Sequence, residues 1–132
     1  MLIVIESVLS SAEVVEFRAA LASARWLDGA ARAGTRSVAV KQNVQADRAD
    51  PLVGDLANRL LARLGRTPLF LSAALPEKIW PPVFNVYRDG GHYGTHSDSA
   101  LMHLPETGLS LRSDLSATLF LTDPADYDGG EL

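Results

Sequence analysis

One short stretch of the sequence places two metal-binding side chain types next to each other. His96 and Asp98 are separated by one residue, in the segment Tyr93-Gly-Thr-His-Ser-Asp98. Side chains alternate between the two faces of an extended strand, so residues i and i+2 project from the same face. The spacing therefore predicts that one imidazole and one carboxylate point into the same space. They are two of the three ligands of the facial triad, two His and one carboxylate, that binds non-haem Fe(II).

The residues before this pair predict the element that presents it. Pro82-Val-Phe-Asn-Val-Tyr87 is an apolar run typical of a short strand, and Arg88-Asp-Gly-Gly91 follows it. Asp tolerates tight turns and Gly supplies positive φ, so the second segment reads as a turn. The sequence therefore predicts a hairpin in which residues 82–87 form the first strand and residues 91–98 form the second, metal-binding strand.

The other histidines leave alternatives open. His92 lies four residues before His96, a spacing that would bring both rings to one metal in a helix. The three glycines between residues 90 and 94 oppose a helix there, at a cost of about 1 kcal/mol each. A non-catalytic zinc-binding β-domain that uses His92, His96 and Asp98 is the alternative hypothesis, and a surface His beside a solvated Asp is the simplest one. His103 falls in a polar segment and is expected to face solvent.

Composition limits the classes of function. The chain has 132 residues, 47% of them hydrophobic, which is enough for one domain with a real core. The net charge is −4 and the charges are interspersed, so binding to nucleic acid or to a membrane surface is not expected. There is no cysteine, and no run of 18 apolar residues or signal-peptide pattern is present. A cytoplasmic location is the expectation.

The remaining elements are predicted from periodicity. A capping box at Ser10-Ser-Ala-Glu13 opens a helix over residues 11–24, and a second helix runs from Asp50-Pro51 to Gly65. Apolar or alternating runs predict strands at residues 2–5, 37–44, 68–75 and 115–122. Residues 99–113 are expected to form a loop that contacts substrate. Helices followed by strands favour an α+β fold, with the helices packed against a β-sandwich or barrel.

Three segments carry a resemblance to a known family: Asn85-Val-Tyr-Arg-Asp-Gly-Gly-His-Tyr-Gly-Thr-His-Ser-Asp98, Arg112-Ser-Asp-Leu-Ser-Ala-Thr-Leu-Phe-Leu-Thr-Asp123 and Asp128-Gly-Gly-Glu-Leu132. They resemble the bacterial PKHD-type hydroxylases, Fe(II)- and 2-oxoglutarate-dependent dioxygenases of the prolyl 4-hydroxylase-like superfamily. The resemblance implies a double-stranded β-helix (jelly-roll) core with N-terminal helices packed on it. It implies that iron is bound by His96, Asp98 and a distal His, and that Tyr87 and a distal Arg contact 2-oxoglutarate. It also implies the use of O2, the release of succinate and CO2, and support by ascorbate.

The sequence departs from the family pattern in two places. The family's second His and its 2-oxoglutarate Arg lie beyond the Gly-Gly-Glu-Leu turn, and residues 1–132 contain neither. Phe120 stands where many prolyl hydroxylases have a Tyr. We therefore expect residues 1–132 to form a single domain that lacks the C-terminal part of the core and has little or no turnover alone. The sequence leaves the substrate open between a small molecule and a protein side chain, and it does not indicate the oligomeric state.

Overall fold

The computed structural model of the chain describes residues 2–29, 42–94, 96, 98–104 and 108–130. The fold class is α+β, as predicted. In chain order the elements are α1 (Ser11–Ala22), β1 (Trp26–Asp28), β2 (Val44–Ala46), α2 (Pro51–Leu64), α3 (Pro68–Ala74), β3 (Asn85–Val86), β4 (Leu101–Leu104), β5 (Leu109–Arg112) and a 3₁₀ helix (Pro124–Asp126). None of the helices in these ranges is long and apolar enough to cross a membrane.

Local capping interactions start helix α1. The Glu13 N–H donates to Ser10 Oγ at 3.3 Å, and the Ser10 N–H donates to Glu13 Oε2 at 2.7 Å. This reciprocal pair satisfies two of the N–H groups that a helix start leaves without a partner. The helix ends at Ala22, two residues before the predicted end, and it buries Phe17 and Leu21.

Helix α2 begins at Pro51, as the Asp50-Pro51 pair predicts. Asp50 Oδ1 accepts the Leu52 N–H at 3.0 Å, while Asp50 Oδ2 accepts the Arg25 N–H at 3.0 Å. One carboxylate therefore caps the helix and fixes the chain segment that enters β1. The buried face of the helix repeats at helical spacing, through Val53, Leu56, Ala57 and Leu60.

The core joins the two long helices to the central sheet. Phe17 of α1 and Leu56 of α2 are each 1% exposed, and Ala46 of β2 is equally buried. The ring of Phe17 lies 6.4 Å from the ring of Phe84, at a tilted angle of 54°. Phe84 immediately precedes β3, so its burial anchors the start of the strand that leads to the candidate metal-binding residues.

The central sheet is antiparallel with strand order β1-β2-β3. Gln45 pairs with Asn85 and Val44 with Val86, and the Ala46 N–H continues this ladder to the Phe84 carbonyl at 3.0 Å. Residues separated by 40 positions in the chain thus become neighbours. The sheet fixes both the position and the direction of β3 before the chain turns.

Two predictions of local structure are wrong. The strand predicted at residues 68–75 is helix α3, which ends at Ala74. A short apolar run does not distinguish a strand from a helix, and Pro68 supplies the preorganised first helical position. The loop predicted at residues 99–113 instead contains two strands among its described residues, since β4 and β5 pair antiparallel from Leu101↔Arg112 to Leu104↔Leu109. Strand pairing places apolar residues opposite each other, such as Met102 and Leu111. In the sequence these residues are separated by polar ones, so the segment resembles a loop.

The predicted outer strands also differ from the structure. Residues 2–5 and 115–122 are in no strand, because no backbone ladder within the described residues pairs with them. The metal-binding hairpin is shorter than predicted: β3 covers only Asn85–Val86, and Tyr93 alone forms an isolated bridge in the segment after the turn. β2 begins at Val44, while residues 37–41 of the strand predicted there lie outside the described residues. A jelly-roll core is therefore not confirmed.

The cap of α1 predicts a specific pH dependence of stability. The pKa of Glu13 is lowered from 4.5 to about 2, chiefly because the Ser10 N–H donates to the carboxylate, with further hydrogen bonds from Arg63 and the Ser10 hydroxyl. A pKa below the unfolded value means that this stabilisation is complete above about pH 4.5 and is lost as the pH falls towards about 2. We expect Glu13→Gln to lower Tm at pH 6 and to flatten its decline between pH 5 and 2.5, measured by circular dichroism.

The control for this experiment is Glu16→Gln. Glu16 contacts Arg59 at 2.9 Å from the same helix but caps no N–H group. Glu13→Gln and wild-type curves that run parallel over the acid range would contradict the assignment to the cap.

Candidate functional site

A tight turn connects β3 to the predicted metal-binding residues. The Gly91 N–H donates to the Arg88 carbonyl at 2.8 Å, and the two central residues, Asp89 and Gly90, have φ values of 52° and 77°. Positive φ at both central positions is the mark of a type I′ turn, whose twist matches that of the strands of a hairpin. The turn predicted from Arg-Asp-Gly-Gly is therefore confirmed.

The residue that closes this turn has no room for a side chain. A Cβ atom on Gly91 would lie 2.7 Å from the Gln42 carbonyl oxygen and 2.9 Å from that of Arg88, both of them backbone atoms. Next to it, the Gln42 N–H donates to the His92 carbonyl at 2.8 Å. The backbone of Gly91 and His92, which follows the turn, is therefore in close contact with the backbone of Gln42, two residues before β2. This contact sets the path of the backbone towards His96.

The structure brings His96 and Asp98 together, as their spacing predicts. His96 Nε2 lies 3.4 Å from Asp98 Oδ1, and both side chains are partly open to solvent. His96 Nδ1 lies 2.7 Å from the Gly94 carbonyl oxygen. Because a carbonyl only accepts hydrogen bonds, Nδ1 carries a proton, and Nε2 is the ring nitrogen that faces the carboxylate. A metal-binding His is usually oriented by a hydrogen bond from the ring nitrogen that does not bind the metal, here Nδ1. The imidazole nitrogen of His96 and the carboxylate oxygen of Asp98 are donors that suit Fe(II).

An aromatic ring fixes the plane of the imidazole. The Tyr93 and His96 rings stack with their centroids 3.5 Å apart and their planes 15° apart. Tyr93 covers one face of the His96 ring, and the Gly94 carbonyl holds its Nδ1 atom. The sequence leaves Tyr93 open between a structural and a substrate-facing role. In the structure, Tyr93 supports His96.

Tyr87, the predicted 2-oxoglutarate contact, lies directly after β3 and is 46% exposed. Burial of the hydroxyl raises its pKa, and the nearby Tyr93 raises it further, whereas a hydrogen bond from the Asn43 side chain acts in the opposite direction. The phenol therefore keeps its proton at neutral pH and can donate a hydrogen bond. The role of Tyr87 in cosubstrate binding stays a prediction.

The other two histidines do not join the pair. His92 is exposed, with Nδ1 3.2 Å from the Gly90 carbonyl oxygen. His103 lies on β4, where Nδ1 is 2.8 Å from Ser110 Oγ across the hairpin. Within the described ranges, no three His, Cys, Asp or Glu side chains converge to hold a metal ion. The three-ligand zinc cluster of the alternative hypothesis is not formed there.

A group of amides beside Tyr87 was not predicted from the sequence. Asn85 Oδ1 accepts hydrogen bonds from Asn43 Nδ2 at 3.2 Å and from Gln45 Nε2 at 2.8 Å. Asn43 and Gln45 on one strand, and Asn85 and Tyr87 on the other, are each two residues apart, so each pair lies on one face of its strand. This spacing is the sequence signal that could have indicated the group. Their contact depends on the pairing of β2 with β3, and periodicity does not reveal which strands pair.

The geometry of the turn predicts different effects for two neighbouring glycines. Gly91→Ala should displace the backbone at Gln42, destabilise the fold and weaken metal binding by His96 and Asp98. Gly90→Ala is the matched control, because nothing lies within 4 Å of its Cβ and only the positive φ is strained, at about 1–2 kcal/mol. Chemical denaturation and anaerobic Fe(II) titration measure both effects. Equal metal affinities for the two variants would contradict this account of the turn.

Comparison with known proteins agrees with the sequence resemblance. No family profile matches the chain. A PKHD-type hydroxylase of Teredinibacter turnerae is 58% identical over 132 residues, and those of Acidovorax ebreus and Pseudoalteromonas atlantica are 56% and 49% identical over the same length. Each alignment covers 100% of this chain and 58% of the relative, so the chain spans somewhat more than half the length of these curated proteins. By sequence, the chain is similar along its whole length to proteins named PKHD-type hydroxylase.

Proposed function

We propose that the chain contributes to a hydroxylase that uses Fe(II), 2-oxoglutarate and O2, and that His96 and Asp98 bind the metal. The observation that carries the proposal is the 3.4 Å separation of His96 Nε2 and Asp98 Oδ1, with the imidazole oriented through Nδ1. The hydroxylase names of the relatives support the reaction class. The nitrogen and oxygen donors of His96 and Asp98 support Fe(II) as the metal. The motif resemblance supports 2-oxoglutarate as the cosubstrate.

The residues around the metal have separable roles. His96 would provide a neutral nitrogen ligand and Asp98 an anionic oxygen ligand. The Gly94 carbonyl would preserve the tautomer of His96, and the stacked Tyr93 ring would prevent rotation of the imidazole. When bound, iron together with 2-oxoglutarate and O2 supplies the oxidation of a substrate C–H bond, with release of succinate and CO2. Ascorbate would support the reaction by keeping the iron reduced.

Tyr87 is proposed to bind the cosubstrate as a hydrogen-bond donor. Because its pKa is raised, chiefly by burial, the phenol keeps its proton when an anionic ligand approaches. Substrate contact is proposed for residues 99–113, whose described part is the β4–β5 hairpin with Leu101 and Leu109 exposed. The substrate itself is either a small molecule or a side chain of a protein.

Variants of the histidines separate the proposed site from its alternatives. We expect His96→Ala and Asp98→Ala each to weaken Fe(II) binding by about 100-fold or more, since each removes a direct ligand and loss of an outer partner alone costs about 10–100-fold. His92→Ala is the matched control, as it removes an exposed imidazole four residues away, and Fe(II) affinity should not change. Anaerobic titration with Fe(II), followed by calorimetry, measures the affinities.

The same titrations with Zn(II) test the alternative function. Tight Zn(II) binding that is abolished by His92→Ala would favour the zinc-binding β-domain and overturn the proposal. Metal affinity that is unchanged in both His96→Ala and Asp98→Ala would favour a surface His beside a solvated Asp.

A further inference from the structure

We propose that Asn85 is a positioning residue for the His96–Asp98 pair. Its side-chain oxygen holds β3 in one register on β2, and this register keeps the following turn, residues 88–91, against Gln42. The register rests on hydrogen bonds within the chain. Its consequence for a metal rests on the proposed function, which takes the pair as ligands.

The backbone of β3 is too short to fix its own position well. The strand has two residues, Asn85–Val86, whereas most strands have roughly three to ten. It pairs with β2 so that Gln45 lies opposite Asn85. Ladder hydrogen bonds are alike at every position, so the side chains must select the register.

The Asn85 side chain adds two hydrogen bonds to this pairing. Its Oδ1 accepts from Gln45 Nε2 at 2.8 Å, directly across the ladder, and from Asn43 Nδ2 at 3.2 Å, at the diagonal position. A carbonyl oxygen has two lone pairs, so both acceptor positions of this atom are used on one neighbouring segment. A slip of β3 by one residue would turn Asn85 to the opposite face of the sheet and break both bonds.

The apolar face of the sheet selects the same register. Phe84 precedes Asn85 and so faces the other side, where it is 7% exposed and its ring lies 6.4 Å from that of Phe17. On the polar side Asn43 is 8% exposed, and a buried donor that loses its acceptor costs more than an exposed one. A slip would therefore be opposed on both faces of β3.

The register reaches the turn through Gln42, the residue before Asn43. The Gln42 carbonyl oxygen would lie 2.7 Å from a Cβ atom on Gly91, and the Gln42 N–H donates to the His92 carbonyl at 2.8 Å. The turn is thus held by β3 where it begins and by Gln42 where it ends. If β3 moved along β2, the two contacts could not both be kept, and the backbone four residues before His96 would be displaced.

Two substitutions separate the acceptor from the rest of the Asn85 side chain. Asn85→Asp keeps an oxygen for both donors and removes only the amide nitrogen, which lies 3.4 Å from the Val83 carbonyl oxygen. Asn85→Leu has a similar shape and no acceptor. We expect Fe(II) affinity to be no lower in Asn85→Asp than in the wild type and to fall by about 10-fold in Asn85→Leu, the low end of the loss for outer partners of a metal site. Anaerobic calorimetry measures both.

The control for a general loss of stability is Glu13→Gln. Glu13 bonds Ser10 and Arg63, which lie outside the sheet. This variant should lower Tm and leave Fe(II) affinity unchanged. A loss of affinity in Glu13→Gln equal to that in Asn85→Leu would overturn the inference.

The register is tested without metal by amide hydrogen exchange. The N–H groups of Gln42 and Ala46 report it, because they donate to the carbonyls of His92 and Phe84. We expect Asn85→Leu to speed exchange at both by about 10-fold relative to the interior of α2, the equivalent of one hydrogen bond. Asn85→Asp should leave both unchanged. Equal acceleration along the whole chain in Asn85→Leu would show only a general loss of stability and would overturn the inference.

The position of His96 is read in the same metal-free chain by NMR. The Tyr93 ring stacks on the imidazole with the centroids 3.5 Å apart, so its ring current shifts the imidazole protons. We expect Asn85→Leu to move these resonances towards those of an unstacked His, and Glu13→Gln to leave them in place. Wild-type His96 resonances in Asn85→Leu would show that the effect does not reach the site and would overturn the inference.

These measurements separate the inference from the proposed function. A wild-type chain that binds no Fe(II) would contradict the proposed function, and the exchange and resonance data would still decide whether Asn85 positions His96. Equal losses in Asn85→Asp and Asn85→Leu would overturn the acceptor role. If Asn85→Leu does not fold, Gln45→Ala replaces it, since it removes only the more exposed donor, and the His96 resonances should move in the same direction by less.

Discussion

The close contact of two backbone segments at Gly91 is the constraint on which the candidate site depends. The Gln42 carbonyl lies where a Cβ of residue 91 would be, and the neighbouring Gln42 N–H holds the His92 carbonyl. This contact attaches the turn at residues 88–91 to the segment before β2, so the turn is held by the sheet as well as by its own strand. The backbone at Gly91 and His92 is thereby held two residues before Gly94, whose carbonyl oxygen lies 2.7 Å from His96 Nδ1.

The same constraint explains why the core of the protein matters for a site near its surface. Phe84 packs against Phe17 of α1, and the ladder from Ala46 to Phe84 places β3 beside β2. Because Gln42 lies just before β2, β2 and the residues before it hold both the turn and β3. Helix packing, sheet register and site geometry are therefore linked through a few residues, and a change in register would move all of them at once.

Sequence reasoning predicts the features that depend on neighbouring residues. The caps at Ser10 and Asp50 locate two helices, and the i, i+2 spacing predicts the proximity of His96 to Asp98. The motif resemblance points to the PKHD-type hydroxylases, and proteins of that name are 48–58% identical over the whole chain. These signals succeed because a cap, a turn or a period of two is complete within a few residues of sequence.

Features that depend on distant partners are not predicted in the same way. The alternation at residues 115–122 is clear, but it forms no strand, because a strand exists only where another backbone pairs with it. At residues 68–75 the prediction failed differently, because a strand was predicted and a helix is observed. A short apolar run is compatible with a helix or a strand, and tertiary packing decides between them. The amide group of Asn43, Gln45 and Asn85 is not predicted for the same reason: strand pairing brings its members together, and the register of that pairing cannot be read from local sequence.

The most direct test of the account is an anaerobic titration in which 2-oxoglutarate is added to the chain with Fe(II) already bound. Chelation of iron by the keto acid gives a visible charge-transfer absorption band, which reports metal and cosubstrate in the same site. The account predicts a band that requires both components, is lost in His96→Ala and persists in His92→Ala. A band of equal strength in His96→Ala, or Fe(II) bound with no band on saturation with 2-oxoglutarate, would contradict it.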